Sequence, residues 1–136
     1  MRELEIDALV ENLDNVNDFV HEELDDIDCS KKSLMQLGIV IEEIFVNIAS
    51  YAYPEKVGKA IVRCEVTKNP PEIVLTFIDS GIKYNPLANE DPDLELELHE
   101  RQIGGLGVFM VKKLTDEVTY EYTDGKNILK FRKVLS

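Results

Sequence analysis

Three short groups of residues in this chain have types and spacings that suit chemistry as well as packing. In the first group, Glu43 and Asn47 lie in an otherwise apolar segment and are four residues apart, so on a helix they share one face. A carboxylate and an amide on a buried face are costly unless each has a partner. The same spacing is also typical of a solvent-facing seam on a buried helix, and both explanations remain open at this level.

The other two groups are rich in glycine. Asp79-Ser-Gly81 follows a predicted strand, a place where Asp and Gly are also common turn residues. Gly104-Gly-Leu-Gly107 opens a predicted apolar helix. Backbone N–H groups at a helix start, unobstructed by Cβ atoms, form a natural phosphate site, whereas the same glycines could simply allow close helix packing.

Two common phosphate-binding motifs are excluded. A dinucleotide-binding GxGxxG needs Gly or Ala where Met110 stands, and the preceding segment is an acidic loop instead of a strand. The sequence contains no GxxxxGK[ST], so it has no P-loop. His21 and His99 have no nucleophile at a recognisable offset and are expected to be surface residues.

The hydropathy pattern predicts elements in the order β-α-α-β-β-loop-α-β-β. Helical spacing predicts three helices, at 11–26, 31–51 and 106–114, with Ser30 as the N-cap of the second. Alternating or β-branched runs predict five strands, at 4–8, 59–67, 72–78, 118–122 and 128–134, and Asp124-Gly125 predicts a hairpin turn before the last. Helices grouped against a largely antiparallel sheet make an α+β fold, a two-layer sandwich, in a single domain spanning 1–136.

Composition narrows the class of partner. The chain has 136 residues, with 15 basic against 27 acidic residues and a net charge of −12. Phosphate backbones and anionic lipid repel such a chain, so neither nucleic acid nor a membrane is expected as a partner. No signal sequence is visible and polar residues interrupt the longest apolar segment, so we expect a cytoplasmic protein. Cys29 and Cys64 lie far apart without CxxC spacing, which predicts free thiols.

Taken in order, the three groups resemble the N, G1 and G2 boxes of the GHKL (Bergerat) ATP-binding superfamily. Within it, the resemblance is strongest to the anti-sigma factor serine/threonine kinases and covers nearly the whole chain. The segments that carry it are Asn47-Ile-Ala-Ser-Tyr-Ala-Tyr53, Asp79-Ser-Gly-Ile-Lys-Tyr-Asn-Pro86 and Gly104-Gly-Leu-Gly-Val-Phe-Met-Val111. Three positions depart from the family pattern, since Ile48 stands where Ala is usual, Tyr51 where His is usual and Lys83 where Pro is usual.

The resemblance implies a role for each of these residues. Asn47 would coordinate a Mg²⁺ ion that bridges the ATP phosphates, and Glu43 would be the general base for the attacking hydroxyl. Asp79 would accept a hydrogen bond from the adenine amino group, and Gly81 would let the backbone approach the base. The residues implied for the phosphates are Gly105, Leu106 and Gly107 at the helix start and Arg101 in the ATP lid, residues 82–103, although an arginine on an acidic lid also suits a surface ion pair.

The implied function is an ATP-dependent serine/threonine protein kinase that acts as an anti-sigma regulatory factor. It would phosphorylate a small antagonist protein and sequester a sigma factor, and a homodimer is one assembly to consider. The alternative is a non-catalytic ATP-binding regulatory module of the same fold, and the two differ at Glu43, which only transfer requires. An ATPase subunit acting on DNA is disfavoured by the charge and by the lack of a transducer domain.

Overall fold

The computed structural model of the chain describes residues 1–88 and 105–136, with Ala88 and residues 105–108 described by their backbone alone. The predicted order of elements is confirmed for these residues. Most of the predicted lid, from residue 89 to residue 103, lies outside the described residues. The helices and strands are β1 (Arg2–Asp7), α1 (Leu13–Glu23), α2 (Lys31–Tyr51), β2 (Lys59–Lys68), β3 (Pro71–Asp79), α3 (Gly105–Leu114), β4 (Glu117–Thr123) and β5 (Lys126–Val134), with 3₁₀ turns at Val10–Asn12 and Pro86–Ala88.

The five strands form one sheet in the order β1-β2-β3-β5-β4, and each neighbouring pair is antiparallel. Side chains alternate across it: Val62, Leu75 and Phe131 are buried in the core that the helices share, whereas Arg63 and Lys130 are exposed. The predicted α+β fold is therefore confirmed.

Helix α2 is the central helix of this layer and matches its predicted bounds. Ser30 caps it, because its Oγ accepts a hydrogen bond from the Ser33 N–H at 3.0 Å. Contrary to the expectation from its interrupting polar residues, α2 is by length and composition alone apolar enough to cross a membrane. A core helix has the same composition, and α2 buries Leu37, Ile41 and Phe45 in the core.

Helix α1 is shorter than the predicted 11–26. Residues Val10–Asn12 form a 3₁₀ turn ahead of it, and the helix ends at Glu23. There the Leu24 N–H donates to the His21 carbonyl, three residues back, so the chain tightens and leaves the α-helical path.

The last hairpin sets up one end of the sheet. Its turn consists of two residues with positive φ, Asp124 at 54° and Gly125 at 76°, which suits the right-handed twist of the flanking strands. This turn fixes the register of β5 against β4, and on its other side β5 pairs with β3 so that Asn127 lies opposite Asp79, the last residue of β3. Two polar side chains that are distant in sequence therefore meet at this end of the sheet.

Candidate functional site

A cavity of about 360 Å³ lies between α2, the end of β3 and the start of β5. Glu43 and Asn47 of α2 and Asp79 of β3 all line it, so the structure brings together three of the residues that the sequence analysis singled out. Most of the wall is apolar, as is usual for sites that bind small molecules. The apolar lining comes from Ile44, Ile48, Ala52, Phe77, Ile82, Pro86, Leu87, Val111 and Leu129.

Asp79 is a buried acidic group on the wall of this cavity, with 6% of its surface exposed. Its Oδ1 accepts hydrogen bonds from the Gly81 N–H and from Asn127 Nδ2, each at 2.9 Å. Across residues 1–88 and 105–136, no hydrogen bond reaches its Oδ2. Burial raises the pKa of the Asp79 carboxyl, while these two hydrogen bonds oppose the rise. Asp79 therefore retains one oxygen that can accept a hydrogen bond from a ligand.

Asn127 supports Asp79, and the sequence analysis missed it. Its Nδ2 donates to Asp79 Oδ1 and to the Ile82 carbonyl, each at 2.9 Å. Its Oδ1 accepts from the Tyr84 N–H at 3.1 Å and from the Tyr120 hydroxyl at 2.6 Å. The only signal in the sequence is an asparagine just after an Asp-Gly turn, and its meaning depends on which strand pairs with β5.

Glu43 lies one helical turn before Asn47, and both side chains are half-buried. Burial raises the pKa of the Glu43 carboxyl, and the neighbouring negative charge of Glu42 raises it further. Glu43 is therefore more basic than an ordinary glutamate, which suits a group that accepts a proton from a substrate.

The polar stripe of α2 does not continue as expected. Helical spacing predicts that Ser50 continues the stripe formed by Glu43 and Asn47, but Ser50 is exposed and does not line the cavity. Tyr51 lines it instead. The arc of α2 that faces the cavity runs from Glu43 towards Ile44 and Ile48, which leaves Ser50 just beyond its edge.

Gly81 lies against α2 and not on the cavity wall. A Cβ atom at this position would overlap the backbone carbonyl of Ala52, and the next residue, Ile82, donates its N–H to that carbonyl at 3.0 Å. The close approach that requires glycine here is therefore to the end of a helix. The base contact that the resemblance implied for Gly81 stays a prediction.

Tyr53 joins the segment after α2 to the segment after β3. Its hydroxyl donates to the Lys59 carbonyl and accepts the Ser80 N–H, both at 2.7 Å. A Cβ atom at Gly58 would overlap the Tyr53 ring, so the ring also packs closely against the start of β2. Tyr53 thereby holds in place the chain that immediately follows Asp79.

Helix α3 begins at Gly105, so Gly105, Leu106 and Gly107 form its first turn. The N–H groups of a first turn have no partner within the helix and are available to an anion. Val111, on the same helix, lines the cavity. Gly104 and Arg101 lie outside the described residues, so the role implied for Arg101 stays a prediction.

A family model described as the histidine kinase-like ATPase domain matches residues 6–133 of this chain. Among curated proteins, the chain is similar to the serine/threonine-protein kinase BtrW of Bordetella bronchiseptica, with 27% identity over 93 residues. That alignment covers 68% of this chain and 65% of BtrW, just under two thirds of the relative.

Two solved structures share the fold. The RsbU and RsbW domains of Rv1364c from Mycobacterium tuberculosis match with a TM-score of 0.63 and 16% identity, over 99% of this chain and 33% of that chain. The histidine kinase domain of the blue-light activated histidine kinase from Erythrobacter litoralis matches with a TM-score of 0.54 and 14% identity, over 96% and 62%. Together with the family match, which implies ATP binding, these findings show that the chain belongs to the histidine kinase-like ATPase domain family, within the GHKL superfamily.

Proposed function

We propose that this protein is an ATP-dependent serine/threonine protein kinase that acts as an anti-sigma regulatory factor. It would phosphorylate a small antagonist protein and sequester a sigma factor, in the cytoplasm. The observation that carries the kinase proposal is that Glu43 and Asn47, one helical turn apart, line the same cavity as Asp79. The order of the motifs and the distant similarity to a serine/threonine-protein kinase support it.

The adenine end of the nucleotide would occupy this cavity. Asp79 Oδ2 would accept a hydrogen bond from the amino group of the base, and apolar side chains such as Phe77 and Ile48 would contact its faces. The first turn of α3 would supply backbone N–H groups to the phosphates. The net charge of the chain is compatible with this anionic ligand if a cation accompanies it.

The residues present fit a Mg²⁺ ion that arrives with the nucleotide. Within the described residues, no three His, Cys, Asp or Glu side chains form a metal site. Mg²⁺ is commonly held by one or two protein oxygens together with substrate phosphates and water, and the Asn47 side-chain oxygen would be the protein ligand here. Bound Mg²⁺ would neutralise charge on the phosphates during transfer.

In the transfer step, the Glu43 carboxylate would take the proton of the attacking serine or threonine hydroxyl. A bond would form between that oxygen and the γ-phosphorus, and the bond from this phosphorus to the β–γ bridging oxygen would break, releasing ADP. Because Glu43 must be ionised to accept the proton, the rate of transfer should rise as pH rises through its raised pKa.

The test is transfer of label from γ-³²P-ATP to a candidate antagonist encoded near this gene, measured beside nucleotide titration. Glu43→Ala should bind ATP nearly normally and lose about 10²–10⁴-fold in transfer rate, as is typical when a general base is removed. Sequestration of the sigma factor by this variant should survive, because it does not need the base. Asn47→Ala should lose Mg²⁺-dependent ATP binding and with it the transfer.

Glu42→Ala is the matched control, because Glu42 is the exposed neighbour of Glu43 and does not line the cavity. It should retain transfer, with the acid limb of the pH profile moved to lower pH because the charge that raises the pKa of Glu43 is gone. Unchanged transfer in Glu43→Ala would remove this residue from the mechanism. ATP binding without transfer by the wild type would favour the non-catalytic regulatory module.

A further inference from the structure

We propose that Asn127 is a positioning residue of the nucleotide site: it holds Asp79 in the orientation that receives the base and ties it to residues Ile82–Tyr84. The inference deepens the proposed function and rests on it. Asn127 is 7% exposed and belongs to β5, whereas Asp79 ends β3 and residues 82–84 follow it. One buried amide therefore connects three parts of the cavity wall.

The hydrogen bonds of Asn127 determine which way its amide points. Both partners of Nδ2 are acceptors, Asp79 Oδ1 and the Ile82 carbonyl, and both partners of Oδ1 are donors, the Tyr84 N–H and the Tyr120 hydroxyl. A flipped amide would lose three of these hydrogen bonds, because among the four partners only the Tyr120 hydroxyl can also accept one. Two donors and two lone pairs are the full capacity of an asparagine side chain, so Asn127 has no hydrogen bond left for a ligand and acts through Asp79.

The hydrogen bond donated by Asn127 controls both the orientation and the ionisation of the Asp79 carboxyl group. It occupies Oδ1 together with the Gly81 N–H, so Oδ2 is left without a hydrogen-bond partner among the described residues, and Asp79 lines the cavity. Burial favours the neutral carboxylic acid, and the two hydrogen bonds are what favour the carboxylate. Loss of the Asn127 donor would leave a buried carboxyl group with one of these two partners, which makes it both less ionised and free to rotate.

The same amide binds backbone groups of Ile82 and Tyr84, on both sides of Lys83. The base-binding carboxyl and the start of the predicted lid are therefore one hydrogen-bonded unit. Lys83 lies between Ile82 and Tyr84, and its ammonium lies 5.2 Å from the centre of the Tyr122 ring. The hydrogen bonds of Asn127 therefore also fix the backbone position of Lys83. A ligand that binds Asp79 thereby also stabilises the position of the segment that leads into residues 89–104.

Among residues 1–88 and 105–136, few charged groups lie near Asp79, so the effect of pH on ADP binding can be assigned to the pair at positions 79 and 127. On the cavity side Glu43 is the other carboxylate among the described residues, and on the adjacent strand β2, Lys59 is paired with Asp7. The remaining ionisable groups near it are Tyr51, Lys83, Tyr84 and Tyr120, which line the cavity, and Tyr53 beside Ser80.

The decisive variant is Asn127→Asp, which keeps the size of the side chain and replaces the donor to Asp79 with an acceptor. At about pH 8 two carboxylates face each other, and ADP should bind about 100-fold more weakly than to the wild type. Towards about pH 6 the pair takes up one shared proton, which restores a donor between them, and affinity should return to within about tenfold of the wild type. Isothermal titration with Mg²⁺ and ADP gives the ratio of the two dissociation constants at each pH, so the ionisation of ADP itself cancels.

Two further variants test whether the pH dependence of ADP binding comes from the carboxyl group introduced at position 127. Asn127→Leu has no group to protonate and should bind ADP weakly at every pH. Asn15→Asp adds the same charge at an exposed residue of α1 that does not line the cavity, and should bind ADP as the wild type does. A ratio for Asn127→Asp that does not change with pH would overturn the positioning role.

A measurement on the wild type covers the case in which Asn127→Asp fails to fold. In ¹⁵N-labelled protein the side-chain amide protons of Asn127 should exchange slowly, and their shifts should follow the protonation of Asp79 and respond to ADP. Rapid exchange without a response to ADP would overturn the inference. A wild type that binds no ADP would instead overturn the proposed function itself.

Discussion

Asp79 and Lys133 are both buried and ionisable, and they lie at opposite ends of the β3–β5 pair, but their surroundings differ. Asp79 faces Asn127 across the pair, and Lys133 faces Ile73 at the other end. Lys133 is 4% exposed, and its ammonium donates to the Leu114 carbonyl at 2.6 Å and to Gln36 Oε1 at 2.9 Å. It therefore ties the end of α3 to α2.

Burial shifts both groups towards their neutral forms, since it raises the pKa of Asp79 and lowers the pKa of Lys133. The difference is in how the polar atoms are used. The Lys133 partners are protein atoms that need a donor, whereas Asp79 lines the cavity and keeps one oxygen without a hydrogen-bond partner among the described residues. A buried charge alone does not mark a functional site; a buried acceptor left open beside a cavity does.

The largest expected effect separates the two residues by function. Asp79→Asn should weaken ADP binding about 100-fold, or about 2.7 kcal/mol, because an amide N–H₂ would replace the oxygen that faces the base. The midpoint of thermal unfolding should stay the same or rise, since a neutral amide is easier to bury and its oxygen can still accept the Gly81 N–H. Calorimetric titration and thermal unfolding of the same preparation check this. A matching loss of stability would make Asp79 a structural residue.

The second prediction concerns a variant that should lose stability and retain ADP binding. Lys133→Met should lower the free energy of unfolding by about 2 kcal/mol, because the Leu114 carbonyl and the Gln36 amide oxygen lose their donor. ADP affinity should stay within about twofold of the wild type. Urea unfolding with Lys130→Met, an exposed lysine on the same strand, as the control measures the difference. A loss of ADP binding as large as that of Asp79→Asn would contradict the division between the two ends.

The third prediction concerns the dependence of stability on pH. As pH rises, the contributions of Asp79 and Lys133 to stability should change in opposite directions. The folded protein holds the Asp79 proton more tightly than the unfolded chain, whose carboxyl has a pKa near the ordinary 3.8. Wild-type stability relative to Asp79→Asn should therefore increase as pH falls from neutral towards about pH 4. The Lys133 ammonium has the reverse linkage, so its contribution to stability should increase as pH rises towards the ordinary 10.5. Urea unfolding across this range measures both signs, and a shared sign would contradict the burial argument.

The smallest expected effects are changes in stability at two glycines, Gly38 inside α2 and Gly81 just after β3. A Cβ atom at Gly38, inside α2, would meet no atom within 4 Å, so Gly38→Ala should stabilise the protein by about 0.5–1 kcal/mol. Gly81→Ala should destabilise it, because its Cβ would overlap the end of α2. The change in urea midpoint gives both values, and stabilisation by Gly81→Ala would show that the chain next to Asp79 has room to move.

Local patterns in the sequence were enough to predict most of the fold. The bounds of α2 follow from the Ser30 cap and from a continuous apolar helical pattern, and the last turn follows from Asp124-Gly125, because two consecutive positive φ values need such residues. The family also follows from the sequence, since three motifs in a meaningful order carry more information than any one of them alone. Glu43, Asn47 and Asp79 were chosen in this way, and the fold places all three on one cavity.

Contacts between distant residues were decided by the tertiary structure. In the sequence, Asn127 is typical of a turn, whereas the register of β3 and β5 places it opposite Asp79. Gly81 is likewise typical of a turn in the sequence, whereas in the structure it lies against the end of α2. Tyr51 and not Ser50 lines the cavity because the packing of α2 selects which arc of the helix faces it. Backbone preferences and hydropathy act between neighbours in sequence, whereas the hydrogen bond from Asn127 to Asp79 joins residues 48 positions apart on two strands, and its geometry exists only once those strands have paired.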